Sequence, residues 1–382
     1  MGKSTLLNAA LEQPLAITSK TPQTTRDALL GVVHHGSAEI ALLDTPGLHR
    51  PRTQLGRVMN EAARDAARRA DVVVFVTDVT PRAGRPKKDE NGEMRETIRP
   101  LFPHPGDLVL LADMTTETPS VLVLNKVDLI RDKKALLPLL EAYGKVHAFD
   151  SIVPMSARRE DGVVRMLDEI ARLLPERPFR YGEDDVTDKP TRFFVAEYVR
   201  EQILRATEEE VPHATAVTID GYVEPSEKSK AVQIDATIHV ERPGQKKILI
   251  GAAGAMMKHI GTAARMRIEE LVGGKVVLRL WVRVTPDWRE SLPRLQELGY
   301  GKQRAGSADA NAEVLLLATS LLATKEGDDG DDPSQDEDAD ADEADDAEDA
   351  DEADDDEAID DGDEEGLDDE DDEALDDNEE ER

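Results

Sequence analysis

The sequence predicts an α/β domain built on a mostly parallel sheet, then a smaller α+β domain, then a run of acidic residues. Three observations carry that reading. The runs Val72–Val76 and Val121–Leu124 are apolar without interruption, as parallel strands covered on both faces are. Residues 231–241 alternate instead: Val232, Ile234, Ala236, Ile238 and Val240 fall on one side, Gln233, Asp235, Thr237 and His239 on the other. That pattern fits an antiparallel sheet with one wet face. The net charge of −35 belongs to one end: residues 326–382 hold 37 Asp and Glu against one Arg, and residues 1–325 are nearly neutral.

A chain of 382 residues accommodates two or three domains. It has no cysteine, which excludes disulfides, thiolate metal sites and a cysteine nucleophile. No apolar run approaches the ~18 residues of a membrane span, and no signal peptide is visible. The acidic end has only Ile359, Leu367 and Leu375 as larger apolar groups. That is too little burial to offset chain entropy, so it reads as a disordered tail, whose role is either solubility or competition with RNA for a basic face.

Chemistry enters at the first residues. Gly2-Lys3-Ser4-Thr5, before a helical stretch to Leu11, is the second half of a phosphate-binding P-loop, G-x-x-x-x-G-K-[ST]. Gly2 lets backbone approach a phosphate, Lys3 would reach the β- and γ-phosphates, and the Ser4 hydroxyl would ligate Mg²⁺. The helix aims its positive end at the same charge. The leading glycine and its strand are absent, so the sheet reads as missing its first strand.

A polar loop follows, with Thr24 and Thr25. Leu29–His35 and Glu39–Leu43 read as strands joined at Gly36-Ser37. The second runs into Asp44-Thr45-Pro46-Gly47. A carboxylate at a strand end holds Mg²⁺ through water, and a glycine amide three residues on meets a γ-phosphate. A helix is expected over 57–70. Residues 81–119, rich in Pro, Gly and charge, read as a surface insertion with a short helix near Glu93–Ile98.

Asn125-Lys126-Val127-Asp128 follows the strand at 121–124. An Asp128 carboxylate accepts from the N1–H and 2-amino groups of guanine. Adenine lacks that donor pair, and sites of this kind reject the wrong ligand by roughly 10⁴-fold. Asn125 would tie neighbouring loops and meet N7, and Lys126 would lay its stem along the base. The strand Ile152–Met155 runs into Ser156-Ala157-Arg158, whose backbone would meet the guanine O6. A helix follows, with Val163, Leu167, Ile170 and Leu174 at helical spacing. Each signal is common by itself as an ordinary turn or strand end. In this order they describe a GTP-binding domain over residues 1–175.

Residues 176–190, rich in Pro and Asp, read as a linker. A helix is expected from Thr191 to about Glu208, then strands Ala214–Val223 and Ala231–Glu241. Lys246-Lys247-Ile248-Leu249-Ile250 leads into Gly251-Ala252-Ala253-Gly254. Next come a helix with Ile260, Ala264, Ile268 and Leu271 inward, a strand Val276–Val284, and a last helix over Trp288–Leu298. G-x-x-G opening a helix, in this element order, is the backbone clamp of an RNA-binding KH domain, here over 191–301. Lys246, Lys247, Lys258, Arg265 and Arg267 lie close in sequence. They either supply charge for phosphates or are ordinary solvated charge. Residues 302–382 read as linker and tail.

Over residues 1 to about 301 the chain resembles the bacterial Era family of GTPases. The carrying segments are residues 2–8, Gln23-Thr24-Thr25-Arg26, residues 44–49, 125–128 and 152–157 in the first half, and residues 241–247, 250–254, 260–261 and 280–282 in the second. The resemblance implies a P-loop GTPase domain and a type II KH domain, with GTP/GDP and Mg²⁺ as ligands. It implies binding of 16S ribosomal RNA of the small subunit and GTP-dependent action in 30S assembly and rRNA maturation. It also implies a cytoplasmic monomer with loose peripheral association at the inner membrane. Catalytic roles would fall on Lys3, Thr25 (with Thr24 as the alternative) and Gly47, and the metal would sit on Ser4, Thr25 and Asp44. Leu48 stands where Ras-like enzymes place a water-orienting Gln. Slow hydrolysis is expected, with a K⁺-assisted route whose asparagine would precede Met1.

Three departures stand out. Met1 occupies the position of a family valine, so a start upstream of Met1 is expected. The G-x-x-G interior is Ala252-Ala253, without the lysine relatives often carry. The 81–119 insertion and the tail have no counterpart. Two other readings stay open: an RNA-binding assembly factor with a non-functional nucleotide site, and a membrane-associated GTP switch.

Overall fold

The computed structural model describes residues 1–19, 24–48, 51–79, 102–114, 117–226 and 230–301, and the backbone of 87–88, 94–95 and 314–317. The acidic tail, Lys20–Gln23 and most of residues 80–101 lie outside the described residues.

The first half runs α1 (Lys3–Leu11), β1 (Leu29–His35), β2 (Ala38–Asp44), α2 (Gln54–Arg69), β3 (Val72–Asp78), β4 (Lys87–Lys88), β5 (Met94–Arg95), α3 (Pro105–Asp113), β6 (Ser120–Asn125), α4 (Leu137–Val146), β7 (Ser151–Pro154) and α5 (Val163–Leu173). Its β1–β2 hairpin is antiparallel, from Leu29 opposite Asp44 to His35 opposite Ala38. The β3, β6 and β7 strands pair in parallel. Strand period splits the apolar runs between two layers. Val72, Val74 and Val76 face Leu6 and Leu7 of α1 and Met166 and Ile170 of α5. Val73 and Phe75 face Ala63 of α2, Leu111 of α3 and Leu139 of α4. Burial on both faces, at about 1.5–3 kcal/mol per large apolar side chain, is why these runs carry no polar alternation.

Two expectations in this half change. Within the stretch expected to be helical, the described Met94–Arg95 is extended and pairs antiparallel with Lys87–Lys88, and residues 93 and 96–98 lie outside the described residues. The end of the presumed surface insertion is instead the helix α3. Its Asp107 carboxylate is buried and accepts from Thr77 Oγ1 and Tyr143 Oη at 2.6 Å each. A buried, hydrogen-bonded carboxylate ties α3 to β3 and α4, so this part belongs to the domain core.

The sheet is also complete. A strand β11 (Val314–Leu317) lies between β2 and β3, parallel to both, giving the order β1-β2-β11-β3-β6-β7. The sequence reading put these residues in the linker to the tail and left the sheet one strand short. Two parallel strands with facing unpaired N–H and C=O groups demand a partner, and the apolar tetrad Val-Leu-Leu-Leu supplies one. The 176–190 stretch meets the β1 edge: Val32 N–H donates to Val186 O at 2.8 Å.

The second half runs α6 (Thr191–Ala206), α7 (Val211–Ala214), β8 (Ala216–Val223), β9 (Val232–Val240), α8 (Pro243–Ile250), α9 (Ala255–Val272), β10 (Val276–Val284) and α10 (Leu292–Glu297). The sheet order is β10-β9-β8. It is mixed, not antiparallel throughout: β9 is antiparallel to β8 but parallel to β10. The helical crossover through α8 and α9 returns the chain to the starting end, which makes β10 parallel. Nor is one face of β9 simply wet. Thr237 and His239 are buried, with Thr237 donating to Asp220 at 2.6 Å and His239 bonded to Thr218 and Thr285 at 3.0 Å each. The last helix is shorter than expected and excludes Trp288, which is fully buried.

Candidate functional site

Three oxygen-bearing side chains converge at the start of α1. The Ser4 hydroxyl donates to Asp44 Oδ2 at 2.7 Å and lies 3.0 Å from Thr25 Oγ1. Thr25 donates to the same Oδ2 at 3.1 Å. Of the two candidate threonines it is Thr25 that turns its hydroxyl inward, and Thr24 offers its carbonyl to Arg200. The other carboxylate oxygen, Asp44 Oδ1, is buried and has no hydrogen-bond partner. Burial pushes the Asp44 pKa up, and the Lys3 ammonium opposes that. Burial likewise pulls the Lys3 pKa down, against the pull of Asp44.

This donor set fits Mg²⁺. Hard oxygen ligands converge, and an orphaned carboxylate oxygen has nothing else to bind. Among the described residues no three His, Cys, Asp or Glu side chains cluster as a metal cage. The protein thus offers part of a shell that phosphate and water complete, as Mg²⁺ sites at phosphates commonly are.

Gly2 has φ of 92°, and a Cβ there would stand 2.8 Å from Asn125 Nδ2, so the position requires glycine. Thr5 follows within α1, and Thr45, Pro46 and Gly47 leave β2 as a buried turn. Leu48 packs into the core beside Leu30 and Leu43, where a polar side chain would be buried.

Asn125 closes β6 and joins three segments. Its Nδ2 donates to Met1 O at 2.9 Å, and its Oδ1 accepts from the N–H groups of Lys126 at 2.7 Å and Ala157 at 2.9 Å. Ser156 donates to Asp128 Oδ1 at 2.7 Å. That bond is the main cause holding the Asp128 carboxyl below its usual pKa. The Lys126 ammonium reaches Asp78 at 2.7 Å.

The second candidate surface is separate. Gly251, Ala253 and Gly254 have φ of 73°, 49° and 77°. A Cβ on Gly251 would meet Met256 Cβ at 2.7 Å, which fixes glycine where the loop turns into α9. Ala252, Ala253, Lys247 and Lys258 are exposed, and Lys246 is half-buried. Arg267 is committed elsewhere: it donates to Pro14 O at 2.7 Å, pairs with Glu270 at 3.0 Å and lies 4.9 Å over the Tyr198 ring.

Sequence reasoning missed Arg26, Arg200 and Trp288 as site neighbours. All three are buried where the two halves meet. Their one visible signal was an arginine directly following the metal-site threonine.

Residues 1–126 match a family model described as a 50S ribosome-binding GTPase, and residues 210–289 match one for a KH domain. GTPase Era of Geobacter metallireducens is 41% identical over 300 residues, covering 78% of this chain and 94% of that protein. GTPase Era of Lactobacillus delbrueckii subsp. bulgaricus is 39% identical over 303 residues, covering 79% and 93%. Among solved structures, an Era variant of Aquifex aeolicus bound to GDP and aluminium fluoride superposes with a TM-score of 0.70 at 35% identity, covering 78% of this chain and 95% of that one. An Era complex with MgGDPNP and nucleotides 1506–1542 of 16S ribosomal RNA gives 0.70 at 35%, covering 78% and 94%. Identity of this order along nearly the whole of these relatives, over both halves and in one order, means that the chain belongs to the Era family of GTPases.

Proposed function

We propose that the protein hydrolyses GTP with Mg²⁺ and binds the 3′-terminal region of 16S ribosomal RNA, and that it acts in assembly of the small ribosomal subunit. One observation carries the chemistry. Ser4, Thr25 and the orphaned Asp44 oxygen converge beside Lys3, while Ser156 orients Asp128 on a neighbouring loop. Those are the two ends of a purine nucleoside triphosphate site. The likeness to an Era structure that holds both MgGDPNP and 16S RNA supports the coupling of this site to RNA.

The residues then divide the work. Lys3 offsets the charge of the β- and γ-phosphates, with the α1 N-terminus behind it. Ser4, Thr25 and Asp44 would hold the metal. The metal supplies charge stabilisation to the phosphates. Gly2 and Thr5 line the phosphate path, Thr45 and Pro46 shape the turn, and the Gly47 amide meets the γ-phosphate. Asn125, Lys126, Asp128, Ser156 and Ala157 hold the guanine. With Leu48 packed in the core, no side chain there orients the attacking water, so unassisted turnover is slow. Gly251, Ala252, Ala253 and Gly254 lay backbone against RNA sugar-phosphate, with Lys246, Lys247 and Lys258 adding charge.

On this reading, residues 1–175, with Val314–Leu317 as a strand of their sheet, and residues 191–301 are the two working domains. The protein acts as a cytoplasmic monomer, with peripheral association at the inner membrane. Among the described residues no helix is long and apolar enough to cross a membrane.

The test is calorimetry with GTP and ATP, then RNA binding to a 3′-terminal 16S fragment. Preference for GTP by at least ~10³-fold, and RNA binding abolished by changing Gly251 and Gly254 to Asp, are expected. Equal affinity for both nucleotides would end the reading.

A further inference from the structure

We propose that Arg26 is the residue that gears the nucleotide site to the RNA-binding half, with Arg200 as its return contact. This rests on the functional reading above and adds the parts that transmit.

Arg26 directly follows Thr25, yet it belongs to the other half of the molecule. It is 7% exposed. Its Nη1 donates to Thr215 O at 2.5 Å, and its Nη2 to Pro212 O at 3.0 Å and His213 O at 3.1 Å. These carbonyls surround the end of α7, where a helix presents its negative pole. The guanidinium also lies 5.8 Å from the centre of the Trp288 ring. A buried cation is costly unless its donors are satisfied, and this cage answers the fork of an arginine, which a lysine cannot reproduce.

The grip is returned from α6. Arg200 is 1% exposed, donates to Thr24 O, and is held by Glu197, with Nε to Oε1 at 2.8 Å. Three consecutive residues are therefore fixed at both flanks. Thr24 is pinned by α6, Arg26 by α7, and Thr25 between them points at Ser4 and Asp44. A Thr25 that shifts to take a metal ligand cannot move without moving its neighbours.

The second phosphate-side segment meets the same indole. Leu55 and Met59 of α2, which follows the Asp44–Gly47 turn, pack with Trp288 and Tyr300. Leu55 N–H donates to Arg289 O at 2.9 Å. Both segments that would sense a γ-phosphate thus end on Trp288. From α6 the contact continues through Tyr198 to Arg267 of α9, the helix that the G-x-x-G loop opens.

The experiment measures RNA affinity in GDP and in a non-hydrolysable GTP analogue, for the unmodified chain and Arg26→Ala. The RNA is the 3′-terminal 16S fragment. The unmodified chain is expected to show at least a fivefold difference between nucleotides, with RNA shifting analogue affinity by the same factor. In Arg26→Ala the factor falls below about twofold, while each ligand still binds. A folded Arg26→Ala protein with the full factor overturns the proposal, as does an unmodified chain that binds both ligands without any dependence. Failure of the unmodified chain to bind GTP or RNA overturns the functional reading, and this inference with it.

If Arg26→Ala does not fold, Trp281→Phe leaves Trp288 as the sole tryptophan. Its emission must then change on exchanging GDP for the analogue, and unchanged emission overturns the proposal.

Discussion

Ser156 Oγ stands 2.7 Å from Asp128 Oδ1 and donates to it. The bond holds the carboxyl below its usual pKa, and its other oxygen lies 4.0 Å from Arg159 Nε. Ionised, Asp128 is acceptor-only and matches two adjacent purine donors. Asp128→Asn puts an amide donor in their place. We expect GTP affinity to fall at least ~100-fold, with a gain for xanthosine triphosphate, whose 2-oxo group accepts. Ser156→Ala should cost less, about 1.5–3 kcal/mol at most, because it removes a single hydrogen bond to a charged acceptor. Titration calorimetry with GTP, ATP and XTP reads both. An unchanged nucleotide order in Asp128→Asn would place the base elsewhere.

Asp44 pairs a bonded oxygen with an orphaned one in the same buried carboxyl. Asp44→Asn keeps the shape but removes the negative charge beside Lys3 and blunts the metal site. Turnover of GTP should fall at least ~100-fold, and nucleotide affinity should lose its dependence on added Mg²⁺. Ser4→Ala should show the same Mg²⁺ signature. Stopping hydrolysis with a chelator and restoring it with Mg²⁺ in the parent alone is the decisive measurement.

How much of this was legible beforehand depends on the range of the interaction. Strand-end motifs such as Asp44 and Asn125–Asp128 were readable because the local chain fixes their placement. The two apolar runs were readable because burial on both faces suppresses alternation. The strand Val314–Leu317 was not, since its partners β2 and β3 lie some 240 residues or more away in sequence. Helix α3 was hidden by a Pro-rich approach and an Asp107 whose burial depends on Thr77 and Tyr143. His239 and Thr237 looked solvent-facing because polarity was read as exposure, whereas their hydrogen bonds are long-range. Arg26 gave no local sign of burial, because its cage comes from residues 212–215.

Asp27 lines a cleft with Thr25, Asp44, Phe194 and Glu197. Its pKa is pushed up to about 6, first by burial and then by Glu197, against Lys189, Arg200 and Arg26. The unfolded value is near 3.8. Between those values the native state holds more protons than the unfolded chain, so this group lowers stability as pH rises through the window. Above pH ~6 the loss is complete. Asp27→Asn should be flat in this term and more stable than the parent at pH 7.5, by roughly 1–3 kcal/mol. His147, His213 and His239, each with a lowered pKa, act in the opposite sense as pH falls. The difference between variant and parent at pH 4.5 and 7.5 removes them. Parallel stability–pH curves would show that Asp27 is ionised without penalty.

The central strand gives the sharpest stability test. Val314–Leu316 pair with Leu42–Asp44 on one side, and Val314–Leu317 with Val72–Phe75 on the other. The first of these neighbours ends at Asp44 and the second lies in the middle of the core, so both edges of the slot are buried. Without β11 their facing N–H and C=O groups lose partners, at about 1–3 kcal/mol for each group left unsatisfied. Truncation after Gly301 should therefore lower the melting temperature of the first half by several degrees and loosen the turn at Asp44. Truncation after Lys325 removes the acidic residues and keeps the strand, and it should leave that transition within about 0.5 kcal/mol of the parent. Thermal melts of the two shortened chains beside the full one decide it. Equal melting for all three would mean that residues 314–317 do not hold the sheet together.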